Sequence, residues 1–503
     1  MTRRPTFSHR PTHRPTRRLP GPRPGRAPSL FHGLLSLGTA LALALVAGLP
    51  PSALAEGFGD RFGELRRTLS KPDLYRLLYA VPKGGDLHHH AAGCWRMEDL
   101  YAVATDRSIV GTNRFYTRLR AGGCDGDTND WVRFATLSAV QWGAMDACRR
   151  ADYTALDALS PAQAREWMDS LRLDRPGEGR EEFFERIWPR LGALGRDPHL
   201  MAEMTVRTLR RYGAEGVRYI EAQTIPDLFG APDGTMLDPE EGERILRRRL
   251  ARPDALATGV TLRLQYVVLR FTPNAVRRVE EAHDWVAGHR DLWVGVNMAG
   301  REDNDKGHPR RFLDVYRRMR HRHSGIGLSI HAGEVDEPNA HLRDTLMLGA
   351  TRLGHGNNVL TDDDLVLHLR HGLAFMEINL VSNLLLEYVG DYSQHHFPEM
   401  LRLGVPCGLS TDDSGMWDSG MTDEYFTAVT EFQLTWEELL RCGRDSLKWS
   451  FLEEPAKARL MAEYERDVRA FEKRFGGDDW RARLAEVKPV AHGFARRRWG
   501  IAF

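Results

Sequence analysis

A short apolar run that ends in polar or ionisable residues and leads into a longer helical pattern recurs about eight times along this chain, and no other feature restricts its fold as strongly. The runs are Tyr79–His90, Gly216–Gln223, Leu262–Phe271, Trp293–Gly300, Gly325–Glu334, Thr351–Val359, Leu373–Asn383 and Pro406–Asp413. Strands that alternate with helices form a parallel sheet, because each crossover helix carries the chain back to the same end of the sheet. Eight such units predict an α/β fold closed into a (β/α)₈ TIM barrel, which presents its chemistry at the C-terminal ends of the strands. The unusual polar residues of this sequence cluster at those ends.

The 503 residues allow one such barrel with additions, and no repeat of solenoid or propeller period is present. The stretch of about 93–159 is too long for an ordinary connection and reads as an insertion after the first strand, over the barrel mouth. A disulfide between Cys124 and Cys148 would restrain it; two reduced, buried cysteines are the alternative. None of the five cysteines forms a Cys-x-x-Cys pair, which argues against a thiolate metal site. Ala456–Phe475 has helical periodicity, so extra helices follow the barrel, and the Arg496-Arg497-Arg498-Trp499 tail reads as a solvated face.

At the other end, residues 1–30 are basic with no acidic residue, and the apolar run Leu34–Gly48 and Ala53-Leu54-Ala55 follow. That layout is an export signal cleaved after Ala55, leaving 56–503 as the mature barrel in a periplasmic or extracellular setting. The apolar run falls short of the ~20 residues that span a bilayer, so no stable membrane insertion is expected after cleavage. With 70 basic against 69 acidic residues, no net field favours nucleic acid over a small neutral substrate.

Four short elements carry the chemistry. In Leu87-His88-His89-His90, strand alternation sends His88 and His90 to one face and His89 to the other. Ser329-Ile330-His331-Ala332-Gly333-Glu334 delivers a histidine and, around a tight turn, a carboxylate. Arg352-Leu353-Gly354-His355-Gly356 flanks a histidine with glycines, which permits close backbone approach and an exposed ring. Ser410-Thr411-Asp412-Asp413-Ser414 ends an apolar run with adjacent carboxylates.

Taken together and in order, with Gly216–Glu221, Val294–Gly300, Glu377 and Ser382-Asn383 between them, these elements resemble the adenosine deaminase family of the amidohydrolase superfamily, closest to its secreted, growth-factor-like branch. The resemblance implies one zinc ion per chain held by His88, His90, His331 and Asp412, with water completing an open, catalytic site. It implies that Glu334 protonates the purine ring and moves protons to the leaving amine, that His355 orients the attacking water, and that Asp413 accepts a hydrogen bond from it. Gly300 matches a backbone contact to the purine, and Phe184 and Trp188 fall on a helix that walls the substrate pocket. The implied reaction is zinc-hydroxide attack on adenosine or a related aminopurine or nucleoside, with loss of ammonia.

The sequence departs from the family at Ala92, where an aspartate that binds a sugar hydroxyl is usual; a site without that partner loses discrimination. Two other readings use the same scaffold: hydrolysis of another amide or ester, and a non-catalytic extracellular binding or signalling protein. Oligomeric state has no signal in the sequence.

Overall fold

In a computed structural model of the chain, residues 53–303, 307–335 and 340–503 are described, and they contain eleven strands. These are β1 (Gly84–His90), β2 (Phe115–Arg118), β3 (Thr136–Ser138), β4 (Tyr153–Ala155), β5 (Val217–Thr224), β6 (Thr261–Leu269), β7 (Trp293–Ala299), β8 (Gly327–Ala332), β9 (Arg352–His355), β10 (Phe375–Ile378) and β11 (Cys407–Leu409). Eight of them pair in parallel in the order β1-β5-β6-β7-β8-β9-β10-β11, with helices in the crossovers. The seam between β1 and the chain after β11 closes through a parallel bridge of His89 with Asp412. There the His90 N–H donates to the Asp412 carbonyl at 3.0 Å and the Asp412 N–H to the His88 carbonyl at 2.9 Å. The (β/α)₈ barrel therefore closes on the residues singled out by the sequence.

Several expected runs were longer than their strands. Tyr79 and Ala80 finish the helix Lys71–Ala80, and β1 begins only at Gly84. The run Leu373–Asn383 holds the four-residue β10 and then turns into the helix Leu380–Leu385. Apolar runs of this length look alike in strand and buried helix, so only the ends were misjudged.

The barrel interior is unusually polar. At its N-terminal end it is plugged by Phe451: a Cβ on Gly295 or Gly327 would come within 2.7 Å or 2.2 Å of that ring. The Arg352 guanidinium lies 3.8 Å from the centroid of the same ring. Around it sit Glu221, Gln265, Asn297, Ser329 and Glu377, all buried, where barrels of this type usually stack branched aliphatics. Above this layer lie His88 and His331.

The stretch after β1 carries the small antiparallel sheet β3-β2-β4, and Cys124 and Cys148 form a disulfide across it. Its apolar side joins a second hydrophobic cluster that includes Trp167, Phe183 and Trp417. After the barrel come the helices Glu454–Gly476, Trp480–Glu486 and Gly493–Trp499. Arg496, Arg497 and Arg498 are exposed, with Arg497 3.3 Å from Asp174, while Trp499 packs edge-on against Phe426. The expected export signal lies outside the described residues except for 53–55, which open the helix Ala53–Thr68; Phe58, Phe62 and Leu65 of that helix are buried. Among the described residues no helix is long and apolar enough to cross a membrane.

Candidate active site

His88, His90, His331 and Asp412 converge at the C-terminal mouth of the barrel, one ligand atom from each lying within 4.8 Å of the others. Alternation along β1 does what its sequence requires: His88 and His90 enter the cluster, while His89 turns away to bond Asp86 at 3.1 Å and pack on Tyr212. Asp412 sits at φ 55°, a left-handed backbone that a short polar side chain tolerates. Its Oδ1 is 3.3 Å from His88 Nε2 and 3.2 Å from His90 Nε2, and His90 Nε2 is 3.1 Å from His331 Nε2.

The outer nitrogens decide what such a cluster can hold. Glu377 Oε2 accepts from His88 Nδ1 at 2.8 Å, and the Met298 carbonyl accepts from His331 Nδ1 at 3.0 Å. Those bonds place the protons on Nδ1, so the Nε2 lone pairs face inward toward a carboxylate oxygen. Lone pairs and a carboxylate at such distances repel unless a positive charge sits among them. Where no cation is bound, a proton on His88 takes that place: burial opposes its charge, yet hydrogen bonds with Asp412 and Glu377 outweigh it and lift its pKa to about 10. A bound cation would displace that proton, while burial and the neighbouring rings press His331 well below the usual range. The residues fit a divalent cation with three nitrogen ligands and one oxygen ligand.

Glu334 follows the turn Ala332-Gly333, where Gly333 has φ +77° and a Cβ would lie 2.7 Å from Asn358 Oδ1. Burial first, then the charges of Asp412 and Glu302, raise the Glu334 carboxyl well above its ordinary value, which favours its protonated form. The Glu334 turn is itself clamped. Glu302 accepts the N–H of Gly333 at 3.1 Å and of Glu334 at 3.2 Å, and it is held in turn by His341 Nδ1 at 2.8 Å. Arg270 donates to the His331 carbonyl at 2.6 Å and lies 3.8 Å from Glu302.

His355, contrary to the expected exposed ring, is fully buried. The reason is packing: a Cβ on Gly354 would come within 2.6 Å of the His88 ring, and one on Gly356 within 2.0 Å of Met376, so the glycines let the segment lie flat beneath the site. His355 Nδ1 bonds Asn383 Oδ1 at 3.0 Å, leaving Nε2 to face Glu334 Oε1 at 3.8 Å. Burial lowers the His355 pKa to about 4, which keeps the ring neutral and its Nε2 a proton acceptor. Asp413 is raised well above the ordinary carboxyl range by burial and by Asp412. A Cβ on Gly93 would stand 1.6 Å from Asp413 Oδ1. Gly93→Ala is therefore expected to displace Asp413 and lower kcat by about 100-fold, the scale of a 1 Å misplacement, with the denaturation midpoint as the control for folding.

A cavity of about 650 Å³ opens from these residues to the surface. Phe183, Phe184 and Trp188 line it, and all three also pack in or against the second core cluster, to which Ile187 belongs. The segment Phe183–Ile187 is a π-helical turn, which departs from the regular helical stripe. Gly300, at φ +107°, also lines the cavity, and a Cβ there would press on Phe271 at 2.7 Å.

Every residue expected at the site is thus brought to one cavity or directly beneath it. Sequence reasoning did not find Arg270, Glu302 and His341. Their partners lie tens of residues away, and the only local signal was a charge next to Gly300.

The adenosine deaminase family model matches residues 181–466, more than half of the 503 residues. The match takes in His331, Glu334, His355, Asp412 and Asp413 and leaves β1 outside it. Adenine deaminase from Chelativorans sp. (strain BNC1) is 30% identical over 274 residues, 53% of this chain and 78% of that protein. N6-Methyl-AMP deaminase-L from Xenopus laevis is 25% identical over 265 residues, 52% of this chain and 74% of that one. A solved amidohydrolase from Burkholderia ambifaria with bound Zn shares the fold, with a TM-score of 0.58 at 18% identity over 81% of this chain and 95% of that chain. The polar-centred barrel, the order of the site elements and the extent of the match lead to one assignment: the chain belongs to the adenosine deaminase family.

Proposed function

We propose that this protein is a zinc-dependent hydrolytic deaminase that converts an aminopurine, free or carried on a nucleoside or nucleotide, to its oxo product and ammonia. One observation carries the reading: a four-donor cation site lies beside a carboxyl held well above its ordinary range, Glu334, and a neutral imidazole, His355, at a cavity large enough for a purine. A zinc ion held by His88, His90, His331 and Asp412 would lower the pKa of its water toward ~7 and so supply a nucleophile at neutral pH.

The chain's own groups do the rest. Glu334 donates its proton to the ring nitrogen next to the amine-bearing carbon, which draws electrons from that carbon. His355 Nε2 accepts a hydrogen bond from the attacking water and aims it, and Asp413 takes a second one. After attack, Glu334, now a carboxylate, takes the proton of the newly added hydroxyl and passes it to the amine, and the C–N bond breaks as C=O forms and ammonia leaves. Phe184 and Trp188 form the cavity wall against which the ring stacks. Support for a purine comes from the family itself and from relatives named for adenine and for N6-methyl-AMP. Ala92 removes the usual carboxylate partner of a sugar hydroxyl, so adenosine is one candidate among several. The basic leader, the apolar run after it and the Cys124–Cys148 disulfide support an exported enzyme, because disulfides persist outside the reducing cytosol.

The mature protein, assayed for ammonia with adenine, adenosine and AMP and for methylamine with N6-methyl-AMP, is expected to deaminate at least one, giving a product in which OH replaces the amine by mass. A metal-loaded protein that releases no ammonia or methylamine from any aminopurine would overturn the reading.

A further inference from the structure

Gln223 is a polar group that the proposed chemistry leaves idle. It lies near the end of β5, two residues beyond Glu221, and so points with it into the barrel. Its backbone is fully engaged: it pairs with His90 of β1 and Gln265 of β6, and its carbonyl accepts the Ala91 N–H at 3.0 Å. Its side chain is not. The residue is 2% exposed and lines the deep end of the substrate cavity, yet neither its amide nitrogen nor its amide oxygen has a hydrogen-bond partner among the described residues. A buried donor and acceptor left unmet are costly, and a leucine would fill the same volume without that cost. The fold therefore gains nothing from the carboxamide, whereas a ligand in the cavity can.

Around it the same wall of the cavity is apolar, formed by Ala91, Ala92, Met201, Ile225 and Leu228. Among the described residues Gln223 and its neighbour Thr224 are the uncharged polar residues on this wall, and Gln223, paired with His90, stands next to the segment in which Ala92 offers no polar partner. A carboxamide presents a donor and an acceptor side by side, and it pairs best with a group that offers the reverse, as glutamine does with an adenine edge.

Building on the aminopurine-deaminase reading, we propose that Gln223 is the specificity-determining residue of the pocket, and that its carboxamide reads an adjacent acceptor and donor on the side of the substrate away from the reacting amine. Two parts of an aminopurine substrate carry that chemistry: the N3 and N9–H edge of a free base, and a sugar hydroxyl of a nucleoside. The compound 9-methyladenine keeps N3 but has neither the N9–H donor beside it nor a hydroxyl, and serves as the blank for the paired contact.

The test compares wild type with Gln223→Leu and Gln223→Glu on adenine, adenosine and 9-methyladenine, with kcat and KM measured by ammonia release and with metal content and denaturation midpoint recorded. Gln223→Leu is expected to keep its metal and its midpoint and to lose tenfold or more in kcat/KM on adenine or on adenosine relative to 9-methyladenine. Loss on adenine assigns the contact to the ring edge, and loss on adenosine assigns it to the hydroxyl. Gln223→Glu keeps an acceptor and loses the donor, and a selective loss on the same substrate is expected. A uniform change on all three compounds, or no change, overturns the role of Gln223 while leaving the deaminase reading intact. Wild type that releases neither ammonia nor methylamine from any aminopurine overturns the deaminase reading itself, and the role of Gln223 with it.

Discussion

Glu334→Gln is expected to cut kcat by two to four orders of magnitude, the scale of a lost general acid, while leaving the metal in place and the denaturation midpoint unchanged. The substitution is informative because of the state in which Glu334 is held. Burial and the charges of Asp412 and Glu302 raise its carboxyl well above the ordinary range and favour the protonated form, which glutamine matches in shape and charge. What glutamine cannot do is release a proton to the ring and take one up for the departing amine. The backbone clamp by Glu302 is also untouched, since it grips the N–H groups of Gly333 and Glu334 and not the side chain. Purine binding should therefore survive with KM little changed. A variant that turned over at the wild-type rate would remove Glu334 from the chemistry.

The second large effect is expected from Arg352→Met. Arg352 is fully buried and bridges two carboxylates, Glu221 at 2.8 Å and Glu377 at 2.7 Å. Burial alone would raise Glu377, but Arg352 and His88 outweigh it and hold its carboxyl below the ordinary range. Glu377 thus stabilises the fold at neutral pH, and that contribution is lost as pH falls through its depressed folded value. Removing the arginine leaves two buried carboxylates facing each other, and breaking a buried pair from one side costs about 3–5 kcal/mol. The effect should reach the metal site, because Glu377 fixes the proton on His88 Nδ1. Loss of such an outer partner weakens metal binding by about 10–100-fold. Denaturant titration with and without metal measures both consequences. An Arg352→Met variant as stable as wild type and equally tight for metal would show that this chain of contacts positions nothing.

Much of the barrel was legible because its evidence is local. The runs Gly216–Gln223 and Trp293–Gly300 match β5 and β7 to within a residue at each end. The pairing of His88 with His90 likewise follows from alternation within three residues. What stayed hidden depends on contacts across the sheet. Glu221 and Arg352 meet over 131 positions of sequence, and Glu302 meets His341 over 39. The burial of His355 was also out of reach, since it follows from the space that Gly354 leaves for a ring on β1. The π-helical turn at Phe183–Ile187 departs from regular helical spacing, so periodicity could not show that Phe183 joins Phe184 and Trp188 at the cavity.

The most direct test of the central claim is a metal titration. The mature protein is stripped with a chelator, zinc is returned in steps, and ammonia release from the best aminopurine is followed alongside bound metal. The account predicts no activity in the stripped protein, a linear rise, and saturation at one zinc per chain, with Asp412→Ala unable to recover. Full activity without metal, or recovery of Asp412→Ala to the wild-type level, would contradict it.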